Sequence, residues 1–193
     1  MQAVIQQIPE HWLEERHRLG QDRRDELWEG VLHMVPPPSF AHQAVGGELY
    51  AFLLPLLRAR GIGVHHQAGL YRPGSNQKDY RVPDLVFYSL APEASLIKKY
   101  GIEGAAMAVA EIRSPDDESY EKFPFYASLG VREVFVIHPD TRVAEVHRLV
   151  GPSYLVVGAD EQGRVHAETI DARFRTVSGP QLRVECAGES RDV

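Results

Sequence analysis

The sequence predicts an α/β fold with a mixed central β-sheet flanked by helices. Three observations carry that reading. One long stretch, Ala44 to Leu57, repeats its apolar residues at helical spacing. The period then changes to two, and short apolar runs follow one another. A later run, Val131 to Ile137, is almost continuously apolar, as a strand covered on both faces is. Helix, strands, helix and strand in that order suit a layered sandwich.

Taken in order, the first element is a helix from Pro9 to Leu19, where Pro9 suits a first turn and Gly20 a stop. Leu27-Trp28 and Val31 to Met34 flank Glu29-Gly30, which reads as the tight turn of a hairpin. Pro36-Pro37-Pro38 fits neither a helix interior nor a central strand. Ser39 is a candidate N-cap for the long helix, Gly61 and Gly63 end it, and Pro55 predicts a kink or an early stop. Val64 to Tyr71, Val82 to Tyr88 and Ala106 to Ile112 read as strands. Ser114-Pro115-Asp116-Asp117 leads to a short helix that starts near Glu121 and stops at Gly130. Val131 to Ile137 is the central strand and Val143 to Leu149 its alternating neighbour. Short strands follow at 154–157, 165–170 and 174–177. The expected organisation is one domain over residues 1–185 and a flexible tail over 186–193.

Composition narrows the classes. The 193 residues are 44% apolar and 25% charged, ordinary values for a globular domain. No run of about eighteen apolar residues suggests a membrane span. The N-terminal stretch lacks an apolar segment with a cleavage site, and the single Cys186 agrees with a reducing compartment, so the expected location is cytoplasmic. A net charge of −6 argues against a broad electrostatic coat for nucleic acid but leaves room for a local site.

The chemistry sits in two carboxylates. Asp84 follows Pro83 at the entry to an apolar strand. Glu111 closes the apolar run Ala106 to Ala110. A buried carboxylate loses solvation and needs a counter-charge. For Glu111 the plain alternative is a pair with another cation or with Arg113, two residues on and on the same strand face. A divalent cation is the other remedy, and two acids with a lysine are what a metal-dependent phosphodiesterase needs. Lys122 stands four residues after Glu118, where the plain reading is an exposed helical pair. His42, near the start of the long helix, either caps it or faces the site. His65-His66 cannot form a same-face pair on a strand. There is no Cys-x-x-Cys, no His-Glu-x-x-His and no glycine-rich phosphate loop.

These segments, in this order, resemble the Uma2 family of restriction-endonuclease-like proteins. Asp25 to Met34 is similar to its opening Tyr-Glu-Leu-x-x-Gly-x-Leu-x-x-Met block, and His42 to Leu53 to its His-led helix. Val82-Pro83-Asp84-Leu85-Val86 resembles its Pro-Asp strand. Glu111-Ile112-Arg113-Ser114-Pro115 resembles its Glu-Val-x-Ser-Pro strand end. Glu118, Lys122 and Tyr126 resemble its Asp-x-x-x-Lys-x-x-x-Tyr helix, and Gly130 to Ile137 its Gly-Val-x-Glu-Tyr-Trp-x-Val strand. The likeness covers roughly Pro9 to Leu149. It implies a restriction-endonuclease-like core of the PD-(D/E)xK superfamily. It also implies cleavage of DNA, with RNA not excluded, by Mg²⁺ or Mn²⁺ held on Asp84 and Glu111. Lys122 is the implied third catalytic residue. Glu26 is a candidate third acid, with Arg113, Glu118 and His42 as possible additions. Arg113 stands where the superfamily motif has its lysine, and Glu118 where the family has aspartate. A homodimer is the expected assembly. The alternative is a catalytically inactive nuclease-like fold that binds nucleic acid or protein.

Overall fold

Residues 3–5, 9–20, 22, 24–91, 96–114 and 118–193 are described by a computed structural model. The first helix, α1, spans Glu10–Leu19; Pro9 is its N-cap and Gly20, at φ 64°, ends it. The strands Glu26–Trp28 and Val31–Met34 pair antiparallel, with Leu27 opposite Leu32. Glu29 and Gly30 between them both have positive φ, the geometry that a two-residue hairpin needs to match strand twist. The long helix, α2, spans Phe40–Arg58, and the Ser39 hydroxyl accepts a hydrogen bond of 3.1 Å from the His42 N–H. Pro55 lies in its last turn, so the expected early stop amounts to three residues. A third helix, α3, spans Phe123–Leu129 and ends at Gly130, φ 84°. It begins two residues later than the sequence suggests because Pro124 belongs in a first turn. The turn expected at residues 115–117 lies outside the described residues.

Among the described residues the strands form three sheets. The central one runs, in spatial order, 153–156, 144–150, 133–137, 108–112, 85–89 and 62–66. Only the pair Ala108–Ile112 and Glu133–Ile137 is parallel, and α3 lies in the crossover between them. Alternation sorts its side chains. Leu85, Phe87, Ala108, Ala110, Ile112, Phe135 and Ile137 pack with Val45, Leu49, Leu53 and Leu57 of α2. Val86, Val109, Val134 and Val136 pack on the other face with Phe125 and Tyr126 of α3. Glu111 therefore points to the α3 face.

The strand expected over Val64 to Tyr71 is two strands in two sheets. Ile62–His66 belongs to the central sheet, and Leu70–Tyr71 to an N-terminal sheet that also holds the hairpin. Gln67, at φ 47°, breaks the ladder, and its N–H donates to the Asp84 carbonyl instead. The chain crosses back the same way. Tyr80–Arg81 pairs with the hairpin side, Leu85–Ser89 with the central sheet, and Val82-Pro83-Asp84 spans the gap. Pro83 has no N–H for a ladder bond, so this is where the strand has to break.

The C-terminal residues correct the expectation of a loose tail from 186. Gln181–Cys186 and Glu189–Asp192 form a hairpin whose turn residues Ala187 and Gly188 have positive φ. The Arg183 guanidinium grips Asp192 with two bonds of 2.6 and 2.7 Å, and Val193 exchanges two backbone bonds with Leu182. The segment Glu189-Ser190-Arg191-Asp192 is too polar to read as a strand, but its partner strand supplies the apolar face.

Candidate active site at the junction of two sheets

Asp84 and Glu111 come together because of strand register. Ala108 lies opposite Phe87, Val109 opposite Val86 and Ala110 opposite Leu85. One step further along, Glu111 faces Asp84. The pairing is closed there by a side chain: the Ile112 N–H donates to Asp84 Oδ2 at 2.8 Å. His42, from the first turn of α2, brings its Nε2 to the same oxygen at 3.0 Å. Its Nδ1 is buried with no hydrogen-bond partner among the described residues.

Lys122 enters from the residue that caps α3 and bridges two acids. Its Nζ lies 3.2 Å from Glu111 Oε2 and 2.9 Å from Glu26 Oε1. The Tyr126 hydroxyl, one helical turn on, donates to Glu111 Oε1. Glu26 starts the hairpin strand and is 1% exposed. It accepts from the Val82 N–H at 2.8 Å and from Trp28 Nε1 at 2.7 Å. Glu26 thus ties the N-terminal sheet to the crossing segment that carries Asp84, and holds Lys122 in place.

Two buried acids share this one lysine with the half-buried Asp84 close by, and the electrostatics show the excess. Burial pushes the Glu111 carboxyl up to about 8; repulsion from Asp84 and Glu26 adds to this, against the pull of Lys122 and Tyr126. Burial also raises Asp84, although the Ile112 N–H, His42 and Lys122 oppose it. Glu26 goes the other way. Burial alone would raise it, but Lys122 and the bonds from Val82 and Trp28 bring it below the usual range. Burial would lower Lys122, yet Glu111 and Glu26 raise it, so the ammonium stays charged.

The acids line a cavity of about 400 Å³ between the two sheets, together with Val35 to Ser39, His42, Ile112 and Lys122. Of the other expected residues, Glu118 also lines it, but its partner is His33 Nδ1 at 2.7 Å, not Lys122. Residues 118–122 precede α3, so the helical pair expected there does not form. Arg113 is not among the lining residues; its guanidinium lies over the Tyr120 ring, 5.1 Å from the centroid, and the cation that pairs with Glu111 is Lys122. Sequence reasoning gave no site role to Tyr126 or Trp28. The four-residue spacing from Lys122 to Tyr126 was the available signal for the first. A hydrogen bond from Trp28 to Glu26, two residues apart on one strand face, carried a weaker one.

The chemistry of the donors fits a hard divalent cation. Carboxylate oxygens are the ligands that Mg²⁺ and Mn²⁺ take, and the site has more acid than base. No three His, Cys, Asp or Glu side chains among the described residues make a ready cage.

The fold is a mixed α/β one of the restriction-endonuclease-like kind. The Uma2 family model, whose description is "Putative restriction endonuclease", matches residues 10–175, and the chain belongs to that family. Among solved structures it is similar to a crystal structure of "a putative nuclease belonging to DUF820" from Anabaena variabilis ATCC 29413. The TM-score is 0.55 at 19% identity, over 69% of this chain and 75% of that one, a likeness of fold. No curated protein matches the sequence. No helix among the described residues is long and apolar enough to cross a membrane.

Proposed function

We propose that the chain is a divalent-metal-dependent endonuclease that hydrolyses phosphodiester bonds in DNA, with Asp84 and Glu111 as the ligands of Mg²⁺ or Mn²⁺. The observation that carries this reading is the imbalance at the sheet junction: two buried carboxylates and the half-buried Asp84 against one lysine, around a cavity that can admit a phosphate. The bound ion would polarise the scissile phosphate and lower the pKa of the attacking water. The other roles belong to the chain. Asp84 is aimed by the Ile112 N–H and by His42. Glu111 is fixed by Tyr126. Lys122, kept protonated by its two acids, donates to the non-bridging oxygens as negative charge develops there. Glu26 acts through Lys122 and is a positioning residue. A homodimer would let two such sites reach two strands, and size-exclusion chromatography tests that separately. The single cysteine accords with a cytoplasmic setting.

The test is cleavage of supercoiled plasmid in Mg²⁺, in Mn²⁺ and in EDTA, for wild type and Asp84→Asn. Cleavage that needs the ion and falls at least about a hundredfold in the variant supports the reading, since loss of one charge-stabilising contact costs ~2.7–4 kcal/mol in the transition state. Equal cleavage by both proteins would point to another site or a contaminant. One observation favours a second reading, an inactive binding module: Lys122 already bridges Glu26 and Glu111 while Arg113 stands outside the cavity. Absence of cleavage on plasmid, single-stranded DNA and RNA would select it.

A further inference from the structure

One part of the cavity lining is apolar and stiff. Val35, Pro36, Pro37 and Pro38 line the same cavity as Asp84 and Glu111. Val35 is 40% exposed, and Pro36 and Pro37 are exposed as well. Three consecutive prolines have fixed φ and no N–H to hydrate, so their rings form a surface that needs no ordering when a flat apolar group lies on it. Phe40 follows Ser39 in the chain and lies outside the cavity lining. It is 90% exposed, the first residue of α2, and two positions from His42, the partner of Asp84.

The charge around this wall is wrong for a duplex. The cavity's only cations among the described residues are Arg24 and Lys122, against four carboxylates, and Lys122 is committed to two of them. The chain carries a net charge of −6. Duplex binding depends on neutralising many phosphates at once. A cavity of about 400 Å³ accepts one nucleotide, not a length of double helix. A paired base could enter only after unstacking, at a cost of a few kcal/mol. An unpaired one pays nothing of the kind.

We propose that Val35 to Pro38 form a nucleobase-binding ledge, with Phe40 meeting the next base along. The substrate presented to Asp84 and Glu111 is then an unpaired nucleotide, in a single strand, a flap or a frayed end. This rests on the nuclease reading and adds the strand state to it. Base stacking on such a surface is worth ~1–3 kcal/mol per base, a factor of about 5 to 150 in affinity.

The test is fluorescence anisotropy of wild type, Phe40→Ala, Phe40→Trp and the double variant Pro36→Ser/Pro37→Ser. The probes are a labelled single-stranded dodecamer and a blunt duplex of the same sequence in Ca²⁺, with cleavage of single-stranded circles and plasmid in Mg²⁺ run in parallel. The expected result is at least tenfold tighter binding of the single strand. Phe40→Ala and the double variant should weaken it about 5- to 150-fold, Phe40→Trp should restore it, and duplex binding should not change. Phe40 is so exposed that its replacement leaves the fold intact, and thermal melts check the proline variant. Equal binding and cleavage of both forms, unchanged in every variant, would overturn the ledge and leave the nuclease reading standing. No binding or cleavage of any nucleic acid would overturn both.

Discussion

Glu111 and Glu133 are both buried glutamates on the two parallel strands, 3% and 1% exposed, at opposite ends and on opposite faces of the pair. Their surroundings differ in kind. Glu133 accepts two bonds from the Arg148 guanidinium at 3.0 and 2.9 Å, the N–H groups of Glu168 and Thr169, and the Thr169 hydroxyl. Its charge is matched by a cation and its lone pairs are used. Glu111 has a lysine that it shares with Glu26, one tyrosine, and two other acids at hand. Its carboxyl is pushed up to about 8, and it borders a cavity. Burial of an acid is thus no mark of a site. An acid whose neighbours leave it uncompensated, next to open space at the carboxyl end of a parallel strand, is one.

The contrast breaks most forcefully at Glu133. Removing one partner of a buried pair leaves the other charge uncompensated and typically costs ~3–5 kcal/mol. Glu133→Ala takes the acceptor from the Glu168 and Thr169 N–H groups and the Thr169 hydroxyl, at ~1–3 kcal/mol for each buried donor left unpaired, while Arg148 keeps Glu168, so urea unfolding should show a loss of that size. Cleavage per folded molecule should not change. A drop in activity without a drop in stability would mean that Glu133 belongs to the site after all.

Lys122→Met applies the same operation to the other cluster. Glu26 and Glu111 lose their shared cation and Asp84 a nearby one, and the protein should again lose ~3–5 kcal/mol in EDTA. Here a divalent ion should restore part of the loss, because it binds the folded state and its acids. Melts with and without millimolar Mg²⁺ check this. The Mg²⁺-dependent rise should be larger in Lys122→Met than in wild type and absent in Glu133→Ala beyond the wild-type shift. Equal shifts in all three would remove the distinction between the clusters.

The next effect falls on rate instead of stability. Asp84→Asn, the variant that slows cleavage at least about a hundredfold under the nuclease reading, should melt no lower than wild type in EDTA. Burial already raises the Asp84 carboxyl, and the change removes a charge that repels Glu111. An Asp84→Asn protein that melts several degrees lower would show Asp84 to be a structural partner of His42, as Glu133 is of Arg148.

Much of this was legible in the sequence, and for identifiable reasons. The apolar repeat of α2 and the hairpin turn at Glu29-Gly30 are local signals, and both elements form where the pattern places them. Asp84 and Glu111 stood out as acids beside apolar strands, and Lys122 reaches Glu111. What stayed hidden depends on distant partners. Val64 to Tyr71 reads as one strand, because nothing local says that Gln67 will turn left-handed and hand its N–H to Asp84. The Glu118 to His33 pair joins residues 85 positions apart, and the Glu189–Asp192 strand exists through its register with 181–186. The compensation that separates Glu133 from Glu111 is hidden in the same way, since Arg148 and Thr169 come from other strands and loops.

The smallest effect is expected at Glu145, which sharpens the comparison from the exposed side. Glu145 lies opposite Val136, and Val136 opposite Glu111, so the two glutamates stand in one row on one face of the sheet. Glu145 is 29% exposed and is held by His147 Nε2 at 2.7 Å, His138 Nε2 at 3.1 Å and the Tyr120 hydroxyl. Burial raises its carboxyl, but the bonds from His147, His138 and Tyr120 outweigh this and bring it below the ordinary value of 4.5. A carboxyl lowered by folding adds stability that is full above its unfolded pKa and is lost as pH falls through the folded one. Glu145→Gln should therefore cost stability at neutral pH, and the gap to wild type should close as pH drops below about 4.5. Solvent screening keeps that gap under about 1 kcal/mol. Urea unfolding at pH 7 and pH 4 measures it. A loss as large as that of Glu133→Ala would mean that solvent does not screen this row, and that position on the sheet face, not the balance of neighbouring charge, sets what an acid does in this fold.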